Sequence, residues 1–376
     1  MLRAGDPAEA ELDPGRLAAV EGLLAEGVRD GVFPGAVALL ARGGVVGWQY
    51  ACGDAQVTPA RRPAALNTIY DLASLTKVAA ALPVALALME RALLDLDAPA
   101  HSLLHEFTGG TRDLVTFRHL LAHTSGLPSW RPLYLQAAMR EDVLEVICQE
   151  PLVTEPGERV EYSDLGIILL GFALERAVGG RIDALVSEYV TAPLGLQETM
   201  YTPPPELRER CAATEVGHAY EREKAGEEGR GYSWREEVLC GEVHDGNAYY
   251  AMEGVAPHAG LFSTAWEVAN VTFQWLRPGG WLSDAAITEA TTDQRAGAEG
   301  YPRGLGWVLH HEGTFFEAFG PRSFGHTGFT GTSVAVDPDQ DLVAVLLTNR
   351  VHLGGSNTKI QEFRPRFHRA VREALR

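Results

Sequence analysis

The spacing of apolar residues changes along the chain, and each change predicts a different element. Residues 13–30, DPGRLAAVEGLLAEGVRD, repeat apolar side chains at helical spacing, with Asp13 placed as N-cap and Pro14 at the first helical position. The pattern then becomes strand-like. AVALLARGGVVGWQYACGD (36–54) reads as two strands folded at Gly43-Gly44. The far end of the chain answers it. TSVAVDPDQDLVAVLLTNR (332–350) is a second hairpin turning at DPDQD, and KIQEFRPRFHRAVREAL (359–375) is a closing helix that Pro365 is expected to interrupt.

Helical patterns fill the middle at 75–94, 118–123, 142–150, 164–178 and 182–190, joined by turns such as SGLPSW and EPGERVEYSD. Residues 203–250 are irregular, polar and glycine-rich, which predicts a long excursion on the surface or near a site. Strands from both ends with helices between them predict an α/β protein. Residues 1–66 and 252–376 should form one α/β lobe, and 67–251 an inserted, mainly helical lobe, with the site at their interface. No internal repeat and no low-complexity segment is present.

Composition narrows the function classes. A formal net charge of -18 argues against nucleic acid and anionic membranes as partners, because their phosphates demand basic patches. The apolar stretch 78–89 is too short to span a bilayer and contains Pro83. The N-terminus carries acids rather than an apolar core, so no signal peptide is expected. Cys52, Cys148, Cys211 and Cys240 lie far apart without CxxC spacing, which reads as reduced thiols in a cytoplasmic protein. The sequence leaves the oligomeric state open. Lysine is scarce: Lys77, Lys224 and Lys359 are the only three among 32 basic residues.

That scarcity draws attention to DLASLTKVAA (71–80), where Ser74 and Lys77 stand three apart at the start of an apolar run. On a helix the two share a face. A serine hydroxyl becomes a nucleophile when a neighbour takes its proton, and a helix N-terminus offers free N–H groups to a developing oxyanion. The bland alternative is an N-cap serine followed by a solvated lysine. Twelve serines and three lysines predict about 0.1 Ser-x-x-Lys pairs by chance. Two occur, and the second, Ser356–Lys359, lies in a Gly/Asn-rich turn and reads as coincidence.

Two further segments corroborate the first pair. EYSDLG (161–166) places Tyr162 and Asp164 at a helix start, and FGHTGFTGT (324–332) opens the last hairpin. With these motifs in this order the chain resembles the serine β-lactamase and penicillin-binding-protein family, which carries Ser-x-x-Lys, Tyr-x-Asn and Lys-Thr-Gly or His-Thr-Gly. HLLAHTSGLPSW (119–130) is similar to a family segment between the first two motifs. The resemblance implies the β-lactamase-like fold, an antiparallel sheet flanked by helices with an inserted all-helical lobe. It also implies Ser74 as acylated nucleophile, Lys77 as its proton partner and Tyr162 as second base or acid. Backbone N–H groups of Ser74 and Phe329 would form the oxyanion hole, while Asp164, His326, Thr327 and Gly328 would meet substrate. No metal and no organic cofactor is implied.

Two departures from the family pattern matter. Asp164 stands in place of asparagine, so it can only accept, and it should hold Lys77 protonated, shifting the base role to Tyr162. His326 stands where most β-lactamases have lysine, which weakens attraction for a substrate carboxylate. Outside these motifs, His119 and His123 could ligate a metal by spacing, but HLLAH lacks the zincin glutamate and reads as structural. GEVHDGNAYYAMEGVAPHAGLF (241–262) offers His244 and Asp245 as a candidate substrate loop, against a bland reading as a polar loop beside the cleft.

The expected function is therefore a serine hydrolase that opens an amide or ester through a Ser74 acyl-enzyme. Its substrate would be a small molecule or peptide: a peptidoglycan-derived peptide, as for a D-Ala peptidase or muramyl amidase, or a carboxylic ester. A class C-like β-lactamase is the alternative enzyme. A penicillin-binding sensor or pseudoenzyme without turnover is the alternative of another class.

Overall fold

The computed structural model describes residues 1–376. Seven strands run in one path: β1 (Arg3–Ala4), β2 (Gly35–Arg42), β3 (Val45–Gln56), β4 (Val308–Leu309), β5 (Phe324–Thr327), β6 (Ser333–Asp337) and β7 (Leu342–Thr348). Their order across the sheet is β1-β3-β2-β7-β6-β5-β4, and Arg62–Pro63 adds a short eighth strand on β3. All pairings on the path are antiparallel except β1 with β3, so the sheet is mixed rather than purely antiparallel. The hairpins expected at the two ends of the chain join at β2–β7, in register from Arg42 with Leu342 to Ala36 with Thr348. The first hairpin turns at Gly43-Gly44, where both residues adopt positive φ (61° and 82°) that glycine tolerates without strain.

Strand alternation explains the layers. Ala36, Ala38 and Leu40 point to one face of the sheet with Ala344 and Leu346, and helices Pro14–Arg29 and Ile360–Glu373 cover that face. Val37, Leu39 and Ala41 point to the other face with Val343, Val345 and Leu347, joining the larger core that helix Ala265–Phe273 and the helical region share. Asp13 caps the first helix through Oδ1, which accepts from the N–H groups of Gly15 (2.9 Å) and Arg16 (3.1 Å).

The closing helix departs from expectation. Ile360–Glu373 runs unbroken through Pro365. The Phe363, Phe367 and Val371 face is buried against the sheet, and this packing outweighs the missing N–H of the proline. The helical middle forms as predicted at Phe117–Ala122, Arg140–Gln149, Asp164–Val178 and from Ile182. The excursion 203–250 is less irregular than its composition suggests. It contains a two-stranded ribbon, Ala213–Val216 with Val238–Cys240, and a short helix, Ala219–Ala225.

The stretch Ala73–Glu90 is long and apolar enough to cross a membrane by length and composition, and 83% of it is buried inside the protein. It begins as a 3-10 turn (Ala73–Leu75), continues as a wider π turn (Lys77–Ala81) and settles into an α-helix at Leu82–Glu90. A three-stranded mini-sheet of Tyr70–Asp71, Leu261–Ser263 and Met200–Tyr201 pins its start beside the large sheet. The sheet and the helical region thus share one core, and the first residues of its buried helix face a cleft.

Candidate active site

The cleft encloses about 640 Å³ and brings together residues from every motif singled out in the sequence. Ser74, Tyr162, Asp164, His244, Asp245, His326, Thr327, Gly328 and Phe329 all line it. Lys77 lies just beneath, 1% exposed, with Nζ donating to Ser74 Oγ at 3.0 Å and to the His258 carbonyl at 3.1 Å. Asp164 Oδ1 comes within 2.7 Å of the same nitrogen, as an ion pair whose angle lies outside that of an aligned hydrogen bond. The Tyr162 ring centre is 4.9 Å from Nζ. Burial by itself pushes Lys77 toward its neutral form. The charges of Asp164 and Tyr162 oppose that, and the net effect holds the ammonium above the ordinary lysine range.

The turn that carries Ser74 is set from below. Asp71 is buried, and its Oδ1 accepts the Ala73 N–H at 2.8 Å while Oδ2 accepts the His244 N–H at 2.7 Å. Ala73 sits at φ +47°, a conformation that costs a non-glycine residue about 1 kcal/mol or more. The third motif closes over this turn. Thr332 Oγ1 donates to the Leu72 carbonyl at 3.0 Å and Thr330 Oγ1 to the Asp71 carbonyl at 2.8 Å. A Cβ on Gly328 would lie 2.1 Å from Thr332 Oγ1 and 2.5 Å from the Leu72 oxygen, so only glycine permits this approach. The backbone N–H groups of Ser74 and Phe329 are spent on no backbone or side-chain acceptor.

Arg364, on the closing helix, fixes the Phe329 turn from behind. Its Nη2 donates to the carbonyls of Gly328 (2.7 Å) and Thr332 (2.9 Å). The Phe329 ring is held by Tyr220, His244 and Arg350, with the guanidinium 4.4 Å from its centre.

Around Tyr162 the site is crowded with nitrogen. His123 packs 4.5 Å away by ring centres, His326 6.0 Å, and Arg303 stands 5.3 Å over the ring. His326 Nδ1–H donates to the Thr327 carbonyl at 2.9 Å, leaving Nε2 as an acceptor without a partner. Burial, reinforced by the charges of Arg303 and Lys77, pushes both His326 and His123 far below the ordinary histidine range. His326 is therefore neutral, as its place in the motif suggested. Arg303, 3% exposed, donates only to the Gly306 carbonyl at 3.3 Å and makes no salt bridge.

The histidine pair of HLLAH is structural. His119 Nδ1 accepts the Thr116 N–H in a capping box, and His123 Nδ1 accepts the Ser163 N–H at 3.1 Å. The candidate substrate loop proves to be part of the scaffold as well as a wall. His244 Nε2 meets Glu215 Oε2 and His258 Nε2–H donates to Asp245 Oδ1, each at 3.1 Å. The second Ser-x-x-Lys pair does not form, because Lys359 Nζ turns away to the Asp30 carbonyl. Asp71, Arg303 and Arg364 went unnoticed in the sequence, and His258 was seen only as part of the 241–262 loop. None sits at a spacing that marks it, and His258 contributes only its carbonyl to Lys77.

The family model for β-lactamase matches residues 20–364. The chain belongs to the β-lactamase family. A relative from Escherichia coli (strain K12), named "Putative D-alanyl-D-alanine carboxypeptidase", is 32% identical over 77% of this chain and 70% of its own. Two solved structures share the fold. EstCE1, a hydrolase with promiscuous acyltransferase activity, superposes with TM-score 0.72 at 22% identity, covering 94% of this chain and 99% of its own. The octameric penicillin-binding protein homologue from Pyrococcus abyssi gives TM-score 0.72 at 21% identity over 92% and 76%. The β-lactamase-like α/β fold implied by the motifs is the fold of the chain.

Proposed function

We infer that this β-lactamase-family protein is a serine hydrolase that cleaves a D-alanyl-type peptide or a related ester through an acyl-enzyme at Ser74. The observation that carries this reading is Lys77 Nζ at 3.0 Å from Ser74 Oγ, buried and paired with Asp164 at the floor of the cleft. Because Lys77 is held as an ammonium, it steadies charge rather than accepting a proton, and Tyr162 is the base. Ser74 Oγ bonds to the carbonyl carbon as its proton passes to a Tyr162 phenolate, and the oxyanion rests on the N–H groups of Ser74 and Phe329. The bond to the leaving nitrogen or oxygen breaks as Tyr162 returns the proton to it. Water then gives a proton to Tyr162 as it attacks the ester, and the bond to Ser74 Oγ breaks as Tyr162 returns that proton to it, releasing the acid and restoring both groups.

The name of the Escherichia coli relative supports a D-alanyl peptide as substrate. Arg303 supports it too, because it supplies beside Tyr162 the positive charge that neutral His326 does not. Neutral His326 and anionic Asp164 weigh against a proficient β-lactamase. The test is a panel of p-nitrophenyl esters, a chromogenic cephalosporin, D-alanyl peptides and muramyl peptides, run beside Ser74→Ala. Turnover should reach the esters and D-alanyl peptides, stay low on the cephalosporin and vanish in the variant. One product equivalent without a steady state would instead mark a sensor.

A further inference from the structure

The cleft sorts its charges by wall. On the Lys77 side stand Asp164, Asp245 and Glu221. Asp245 is answered by His258 and by the Ala248 N–H, and the nearby Lys77 charge adds to their effect. Glu221 makes no ion pair, although Lys224, which also lines the cleft, lies near enough for its charge to be felt. Glu221 is 4% exposed, its Oε1 has no hydrogen-bond partner, and its carboxyl rests on Gly246, where a Cβ would come within 2.4 Å of that oxygen. On the third-motif side stand Arg303, Arg350 and Arg364, all buried, none in a salt bridge, and each with an unpartnered Nε. Their other contacts are to carbonyl oxygens.

Composition does not force this arrangement. The chain has 50 acidic residues to set against 32 basic ones, so carboxylates are plentiful, yet none reaches these guanidiniums. Buried charges left unpaired are costly unless a ligand completes them. Here both signs are left without an ion pair in the lining of the one cavity that also holds Ser74.

We propose that the cleft is completed by a small zwitterionic substrate, a short peptide whose free α-ammonium group meets Glu221 and Asp245 on the acyl side and whose α-carboxylate meets Arg303 on the leaving-group side. The proposal rests on Ser74 being the nucleophile and adds what neighbours the scissile bond. A dipeptide places an ammonium one carbon before the reacting carbonyl and a carboxylate one carbon beyond the leaving nitrogen, which matches the sorted walls. Asp164 fits the same scheme, since a carboxylate accepts from an N–H donor and repels a carbonyl. Burial and neighbouring Asp245 push the Glu221 carboxyl up to about 7, with His244, Lys224 and Tyr134 the other ionisable groups around it. The recognising carboxylate is therefore half formed near pH 7 and fully formed above it.

Three matched substrates test this: D-alanyl-D-alanine, its N-acetyl derivative, which lacks the ammonium, and D-alanyl-D-alaninamide, which lacks the carboxylate. The free dipeptide should exceed each of the others in kcat/KM by at least tenfold. Glu221→Gln should cut the free-to-acetylated ratio at least fivefold while the acid-to-amide ratio persists, and Arg303→Gln should do the reverse. Each ratio is taken within one protein preparation, so a loss of folded enzyme cancels. The free-to-acetylated ratio should also rise between pH 6 and pH 7.5 in the native enzyme and stay flat in Glu221→Gln, which a merely structural glutamate would not cause. An acetylated peptide turned over as well as the free one overturns the proposal, as does a ratio that Glu221→Gln leaves unchanged. Turnover of p-nitrophenyl acetate without any peptide turnover overturns it while sparing the nucleophile. Absence of turnover and of any Ser74 adduct with all of these substrates defeats the nucleophile and the proposal together.

Discussion

Lys77 and Arg303 are buried cations in the same cleft, at 1% and 3% exposure, and the chain treats them in opposite ways. Lys77 is surrounded by oxygen: a carboxylate at 2.7 Å, a hydroxyl at 3.0 Å and a carbonyl at 3.1 Å. Arg303 has one carbonyl at 3.3 Å and an aromatic ring. Removing an ion from water costs several kcal/mol even after the protein relaxes. For Lys77 the chain offsets that cost internally, which suits a group whose task is to steady Ser74 and Tyr162. For Arg303 it leaves the cost standing, which suits a group that waits for an anion from outside. On the proposed mechanism, the contrast separates a group used in catalysis from one used in recognition.

The largest effect expected is from Lys77→Met. It should lower kcat/KM about 10²-fold to 10³-fold, the range for removing one preorganised charge that steadies the reacting groups. It should also destabilise the fold by about 3 kcal/mol, because Asp164 loses its partner. Ester kinetics and urea unfolding measure the two parts separately. Asp164→Asn breaks the same pair from the other side, and kcat should fall about tenfold to a hundredfold. The sign with pH follows from Lys77. Its folded value is raised, so the pair's stabilisation is complete below the unfolded lysine value of about 10.4 and is lost as pH rises through the folded value. The variant should lack that contribution, and its alkaline activity limit should move to lower pH.

Arg303→Met should behave oppositely to Lys77→Met. Replacing an unpaired buried charge by an apolar side chain should raise stability by about 1 kcal/mol, seen as a higher urea midpoint, even as peptide turnover falls. A loss of stability matching that of Lys77→Met would erase the contrast between the two walls. A separate, pH-dependent effect comes from the histidines beside Tyr162. His123 and His326 have depressed folded values, so stability is complete above about pH 6.5 and falls as pH drops toward those values, by about 1.4 kcal/mol per pH unit for each. Urea midpoints at pH 7.5 and 5.5 should show it, and a double His123→Gln, His326→Gln variant should flatten the slope.

Much of this site was legible because its chemistry is local in sequence. Ser74 and Lys77 are three residues apart, Tyr162 and Asp164 two, and His326 to Phe329 consecutive, so each group could be read as a motif before any fold was known. Lysine scarcity helped, since Lys77 is one of three. Arg303 had no such help. It is one of 29 arginines, and only the tertiary fold shows that no acid answers it. Glu221 was hidden the same way, in the polar, glycine-rich excursion expected on the surface or near a site, where no spacing singled it out. Asp71 and the His258 carbonyl act through backbone geometry at Ala73 and Lys77, which side-chain type does not reveal. In the fold, Pro365 misled because its local penalty is smaller than the burial of the phenylalanines that flank it.

The central claim is that Ser74 carries the acyl group. Acid-quenched intact-protein mass spectrometry after brief exposure to p-nitrophenyl acetate, followed by peptide mapping, tests it most directly. One acetyl group should appear on the peptide containing Ser74, persist longer in Tyr162→Phe, and be absent from Ser74→Ala. An adduct on another residue, or undiminished turnover by Ser74→Ala, would contradict the account.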